Sequence, residues 1–313
     1  MNDGWGALLE EAIGFRLGES FAGADVWRLL HARKSGEGDL RGHLLPLEPH
    51  EGLIIDKYGS AVVITAFQGG FEPLRLRGVL SRHLPVESLY YQPRFETWST
   101  MVPPSLIWGS PRGPFVAAES RLRCLIDLER GFNPGIFLDT RPVRRYLEQG
   151  ALRGMRVLNL FSYTCTMGIC AMLGGAIHAV NVDSSRSSLN RGRENYAING
   201  LRVDNRDFVR ADVFSQLGYY QKKGMTFDAV VCDPPPRLPG RGDAVFQYEL
   251  LWKKIEPVIG EGGIAIIITR DMRISADTFS SMFRPDGRLM LADRDLNPRN
   301  GSNPLFKAVV VKK

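Results

Sequence analysis

A chain of 313 residues and 35.0 kDa, 44% hydrophobic and 24% charged, is too apolar for a disordered protein and carries no repeat of a fibrous one; its length suits two domains. The net charge of +6 sits wholly in the second half, because residues 1–150 hold 17 basic and 18 acidic side chains and residues 151–313 hold 23 and 16. A basic half attracts polyanions, nucleic acid foremost. Four scattered cysteines without a CxxC exclude a disulfide framework and a zinc finger, and point to a reducing cytoplasm.

Residues 1–50 read as an N-terminal extension with a short helix near the start and one apolar segment, Val26 to His31; no basic region precedes an apolar run, so a signal peptide is not expected. Residues 51–130 read as a small α/β lobe. Gly52–Asp56 and Ala61–Phe67 are β-branched runs around Lys57-Tyr-Gly-Ser60, a hairpin pattern. Leu74 to Leu84 has helical spacing and ends at Pro85, Ser88–Gln92 is a short strand, and Phe115–Ala118 with Arg121–Leu128 makes a second hairpin.

Residues 131–313 alternate strand and helix. Strands are expected at Arg156–Leu160, His178–Asp183, Phe208–Asp212, Phe227–Asp233 and Gly263–Thr269. Helices are expected at Met167–Leu173, Ser187–Asn199, Val213–Lys223 and Ala244–Ile259. This is the βαβ pattern of a doubly wound parallel sheet. Arg288–Ala292 and Leu305–Lys312 are strands with no helix between them, hence an antiparallel pair. The uncharged stretch Val157 to Val182 is interrupted by Asn159, Ser162, Thr164, His178 and Asn181, and reads as strand, loop, helix, strand rather than a membrane span.

In such a sheet, ligands bind beyond the carboxyl ends of the strands. The first of these strands runs into Asn159-Leu-Phe-Ser-Tyr-Thr-Cys-Thr166, which has neither GxGxxG nor a Walker lysine, so a nicotinamide or nucleoside-triphosphate site is disfavoured. The second ends in Asp183-Ser184-Ser185, 24 positions after Asn159, where a carboxylate can accept both hydroxyls of a ribose. The third ends in Asp212-Val213, suited to an adenine amino group and ring. Each acid could instead simply cap the helix that follows it; two at successive strand ends favour a nucleoside cofactor. The fourth strand ends in Asp233-Pro234-Pro235-Pro236, a rigid turn that aims a carboxylate and backbone carbonyls into the cleft.

The ordered set Gly135-Ile-Phe-Leu-Asp-Thr-Arg141, Val157–Thr164, Gly175-Ala176, Val182–Ser185, Glu194-Asn195, Asn199-Gly200, Phe227-Asp228 and Asp233-Pro-Pro235 resembles the S-adenosylmethionine-dependent methyltransferases that modify large-subunit ribosomal RNA. The resemblance covers roughly residues 131–313, with a weaker match at Glu51–Gly59. Two branches are relevant, the cytosine-C5 enzymes and the guanine-N7 enzymes. The resemblance implies a class I methyltransferase fold: a seven-stranded, mostly parallel sheet whose last strand is antiparallel. It implies S-adenosyl-L-methionine as cofactor, ribosomal RNA as partner and no metal. Phe161, Ser162, Tyr163 and Thr164 should pass the methionine moiety, Asp183 should hold the ribose and Asp212 the adenine. Phe137, Asp139 and Arg141 should close the cofactor pocket, and Asp233, Pro234 and Pro235 should face the target base.

The sequence departs from the family in three ways. Cys165 stands where the family loop usually has Gly. Residues 1–50 are short for the RNA-binding domain that precedes the C5 enzymes. The C5 branch also needs a cysteine after the fifth strand to attack cytosine C6, and that place reads Thr269-Arg270-Asp271. Cys232 should point away from Asp233 into the core. Guanine N7 already has a lone pair and needs no such nucleophile, and Arg294–Asn300 faintly resembles the corresponding stretch of that branch. Arg237, Arg241, Arg270 and Arg273 all follow strands four and five and are expected to contact RNA phosphates. The alternatives are a methyltransferase for a small molecule or protein, or a non-catalytic RNA-binding protein that keeps the fold.

Overall fold

The computed structural model describes residues 7, 9–14, 25–32, 52–67, 69–94, 103–235, 244–271, 274–283, 288–291 and 307–313. The chain divides into two compact units, with the boundary between Leu138 and Asp139.

The first unit holds a five-stranded sheet in chain order: β1 Val26–Ala32, β2 Leu53–Tyr58, β3 Ala61–Ala66, β4 Ser88–Pro93 and β5 Ser105–Gly109. β2 and β3 are the expected hairpin, and Gly59 takes a left-handed conformation (φ 60°) at its turn. β3 and β4 are parallel, which requires the crossover through α2 Arg77–His83. A short helix at residues 9–14, α1, packs Leu9 and Ile13 onto this sheet beside Ile55, Ile64 and Leu80. β6 Phe115–Glu119 and β7 Leu122–Ile126 form the second expected hairpin. Two strands go beyond the sequence reading. The apolar segment from Val26 is β1, antiparallel to β2, and Ser105–Gly109 is β5, antiparallel to β4.

The second unit opens with α3 Arg141–Glu148 and then alternates: β8 Arg156–Leu160, α4 Thr166–Leu173, β9 His178–Asp183, α5 Arg186–Ile198, β10 Phe208–Arg210, α6 Val213–Lys222, β11 Phe227–Cys232, α7 Ala244–Ile255, β12 Ile259–Thr269 and α8 Ala276–Ser281. β13 Arg288–Leu291 and β14 Lys307–Lys312 complete it. The spatial order is β10-β9-β8-β11-β12-β14-β13. The first five strands are parallel and β14 is antiparallel to both its neighbours. The expected hairpin therefore exists, but with β14 inserted between β12 and β13.

One face of this sheet buries Val230, Cys232, Ala265, Ile267, Val309 and Val311 against α6, α7 and α8. Tyr248 and Trp252 take part in that packing, edge-on to Phe279 and Phe283 respectively. Chain order reverses between β8 and β11, so the carboxyl edge beside β8 is the topological switch point where an open α/β sheet binds its ligand.

Candidate active site at the carboxyl edge

The five parallel strands deliver one loop each to this edge. The loop after β8 is the most constrained. Phe161, Tyr163 and Cys165 all lie in the left-handed region (φ 54°, 47° and 64°), each costing an L-residue roughly 1–2 kcal/mol. The loop is pinned against that strain. The Ser162 amide donates to the Val182 carbonyl (3.0 Å), the Tyr163 amide to Asp183 Oδ2 (2.8 Å) and the Cys165 amide to the Ser162 carbonyl (2.7 Å). Asn195 Nδ2 from α5 donates to the Thr164 carbonyl (3.1 Å). Cys165 is fully buried and burial pushes its thiol up to about 12, so it is a neutral packing group. Gly192 on α5 makes the room: a Cβ there would overlap Cys165 Sγ and stand 3.2 Å from Cys165 Cβ.

Asp183 ends β9 half-buried, and its carboxylate organises the loops around it. Oδ2 accepts from Tyr163 and Oδ1 accepts from the Ser185 amide (2.8 Å). The helix cap is Ser185, whose side chain accepts from the Ser188 amide, so Asp183 does not cap α5. Ser184 is exposed, and its carbonyl accepts from Arg210 Nε at 3.4 Å. Asp212 differs: it is exposed and caps α6, accepting from both the amide and the hydroxyl of Ser215 at 2.9 Å, while Val213 beside it is buried. Of the two acids, Asp212 has the capping geometry and Asp183 does not.

Asn159 faces into the protein. Its Nδ2 donates to Asn181 Oδ1 (2.9 Å), and Asn181 Nδ2 donates to Tyr196 Oη (2.9 Å), all three buried. This relay lies within the protein rather than open to the cleft. A methyl group on Gly168 would overlap the Asn181 amide oxygen and stand 2.9 Å from Tyr196 Oη. Asn159 and Asn181 are register partners on adjacent strands, so a polar residue at the same level of two apolar strands was the available sequence signal.

On the other side of the switch point, Asp233 follows β11 and Pro234 is buried while Pro235 is exposed. Arg270, just after β12, joins Asp233 to Asp139. Nη1 and Nη2 meet Asp233 Oδ1 and Oδ2 at 2.5 and 3.0 Å, and Nε meets Asp139 Oδ2 at 2.5 Å. Burial opposes the guanidinium charge, but the Asp139 and Asp233 carboxylates outweigh it and hold the group protonated. An arginine forked onto an internal carboxylate does not have the geometry of a surface arm reaching for phosphate. Arg141 begins α3 and is buried, and Phe137 is half-buried two residues before Asp139. Arg237, Arg241 and Arg273, with Pro236 and the Arg294–Asn300 loop, lie outside the described residues. Cys232 is in the core on the α7 face, as expected. Among the described residues no three His, Cys, Asp or Glu side chains gather as a metal site, and no helix is long and apolar enough to cross a membrane.

A family model for S-adenosylmethionine-dependent methyltransferases matches residues 87–302. The chain belongs to that family. Its relatives include the ribosomal RNA large subunit methyltransferase I of Pseudoalteromonas translucida, 34% identical over 66% of this chain and 55% of the relative. The protein of the same name from Escherichia coli O127:H6 is 28% identical over 83% of this chain and 67% of the relative. The chain thus spans little more than half to two thirds of these relatives. Among solved structures, a Streptococcus mutans chain described as an S-adenosylmethionine-dependent methyltransferase superposes with TM-score 0.79 at 23% identity, over 98% of this chain and 80% of that one. The fold is thereby shared along nearly the whole length of this chain. At its carboxyl edge, the Asp183 carboxylate ends β9, the Asp212 carboxylate follows β10, and the pinned β8 loop lies between these strands and Asp233.

Proposed function

We propose that this methyltransferase transfers a methyl group to a base of large-subunit ribosomal RNA, with guanine N7 favoured over cytosine C5. The observation that carries the choice of chemistry is Arg270. A covalent C5 mechanism needs a thiolate after β12, and the side chain there is a guanidinium paired with Asp233. Cys232 offers no substitute, because burial raises its thiol well above the ordinary range and it faces the core. A ribosomal RNA substrate is supported by the names of the relatives and by the basic second half of the chain.

The cofactor supplies a methyl group already activated on a sulfonium, so the protein's work is alignment and exclusion of water. Asp183 is read as the ribose acceptor, with one lone pair on each oxygen tied to the loops and others left for hydroxyl donors. Asp212 and Val213 are read as the adenine contacts, with Phe161 to Thr164 along the methionine moiety. Asp233, Pro234 and Pro235 are read as the acceptor side, with Arg141, Asp139 and Phe137 closing the pocket. The unit from Asp139 onward would carry the transfer; the accessory lobe takes in α1 and β1, so the first 50 residues are part of that lobe and not a separate extension. A base in folded RNA must be unstacked to reach such an edge.

The test compares cofactor binding with turnover. Asp233→Ala should bind S-adenosylmethionine within a few-fold of the parent, yet transfer on the order of a hundredfold more slowly. Equal losses in both would move the Asp233 turn into the cofactor pocket. Mass spectrometry of nucleosides from large-subunit RNA, with and without the gene, identifies the product; an unchanged profile would remove the ribosomal reading.

A further inference from the structure

We infer that Arg270 is a positioning residue for methyl transfer: it fixes the Asp233 carboxylate by a forked pair and ties it to Asp139. The inference rests on the reading that Asp233 faces the acceptor.

Both η nitrogens of Arg270 engage Asp233 and Nε engages Asp139, so the guanidinium spans two carboxylates. The side chains of Arg270, Asp139 and Asp233 are only 18%, 18% and 13% exposed, so water screens the cluster little. A bidentate fork sets both the position and the plane of a carboxylate, which a lysine ammonium cannot do. It occupies one lone pair on each Asp233 oxygen and leaves the rest to accept from an incoming base.

The anchor for this fork is itself rigid. Thr269 and Asp271, on either side of Arg270, are buried, and the Asp271 amide donates to Thr269 Oγ1 at 3.0 Å. The Asp271 carbonyl accepts from Lys307 Nζ at 3.2 Å, and the Ile268 carbonyl accepts from Tyr248 Oη at 3.1 Å. Side chains from β14 and α7 therefore hold the backbone that holds the guanidinium. Asp139 connects the same group to the segment entering α3, so two strand ends and one helix entry share a single cation. Buried ion pairs add little net stability. Orientation of an acid at the active edge is the property such a pair supplies here.

The experiment uses the full chain with S-adenosylmethionine and large-subunit RNA extracted from cells lacking the gene. Arg270→Ala should keep cofactor affinity within threefold by calorimetry and slow single-turnover transfer at saturating RNA by thirtyfold or more. Arg270→Lys, which restores charge without the fork, should recover only part of that loss. Asp233→Ala with Arg270→Ala should be no slower than Asp233→Ala alone, because a group that acts through Asp233 has nothing left to position. Multiplied losses in the double variant would overturn the inference. So would an Arg270→Ala protein with normal single-turnover rate, weakened RNA binding and a salt slope lower by about one, the signature of a phosphate contact. If Arg270→Ala does not fold, Arg270→Lys carries the test: it should slow transfer at unchanged cofactor affinity, and an unchanged rate would refute the inference. Full activity in Asp233→Ala would instead defeat the acceptor-side reading itself.

Discussion

Gly192→Ala probes how this protein accommodates a cysteine in the strained loop. The new methyl would overlap Cys165 Sγ and lie 3.2 Å from Cys165 Cβ and 3.6 Å from the Thr164 carbonyl carbon. The thiol cannot retreat freely, since Cys165 is fully buried and its backbone is fixed at φ 64° by the Ser162 and Asn195 hydrogen bonds. Overpacking of this kind costs about 1–3 kcal/mol. Replacing a mid-helix glycine returns roughly 0.5–1 kcal/mol, so the net destabilisation should be at most about 2.5 kcal/mol, with a midpoint near 1 kcal/mol. Cofactor affinity should fall with it, because the displaced segment is the β8 loop. Cys165→Gly in the Gly192→Ala background removes the overlap, relaxes a left-handed residue by about 1 kcal/mol and puts a methyl near the space of the lost sulfur. The double variant should therefore regain nearly parental stability, with a coupling energy of about 1–3 kcal/mol between the sites. Urea unfolding and calorimetric titration with S-adenosylmethionine measure both quantities. Additive effects of the two substitutions would refute the claim that Gly192 exists to admit the thiol.

Asp183→Ala should reduce S-adenosylmethionine affinity at least tenfold, since it removes the proposed ribose acceptor and releases the Tyr163 and Ser185 amides together; unchanged calorimetry would leave Asp183 a loop organiser only. Cys232→Ser should retain methyl transfer, and RNA carrying 5-fluorocytosine should form no adduct that survives denaturing electrophoresis; a trapped adduct would restore the C5 mechanism. Burial pushes the Cys165 thiol from its ordinary 9.0 up to about 12 in the folded chain, so between these values the unfolded chain alone loses that proton. Stability attributable to it is complete below pH 9 and is lost as pH rises toward 12, at up to about 1.4 kcal/mol per pH unit. Urea midpoints of Cys165→Ala should show a shallower alkaline decline than those of the parent, and parallel declines would contradict this.

Local pattern made much of this fold readable. β8 and β9 fall at Arg156–Leu160 and His178–Asp183, as their apolar runs between turn residues require, and the alternation after them announces a parallel sheet. What escaped depends on partners distant in sequence. β5 is five residues set off by prolines, largely exposed and without a buried alternating face, and becomes a strand through its pairing with β4. β1 has an apolar run, but its register comes from β2. Within the site, the acids at strand ends could be found, because a helix must start there. Whether they cap it could not: Asp183 and Asp212 look alike in sequence and bond differently. Arg270 carried a charge that suggested RNA, and only the fold brings Asp139 and Asp233 to it from 131 and 37 positions away.

The place of β14 has a consequence for synthesis on the ribosome. Thr269, the last residue of β12, pairs with Lys307, the first of β14, 38 positions later. At about 5–20 residues per second, translation leaves the Ile264–Thr269 edge without its native partner for roughly 2–8 s. That edge is apolar, and an uncovered apolar strand invites pairing with other chains. β13 is made earlier but pairs with β14 rather than with β12, so it cannot cover the gap in its native position. The half of the sheet that carries Arg270 is thus completed last, and a nascent chain can have its β8 loop and Asp183 built while the neighbouring edge still needs protection.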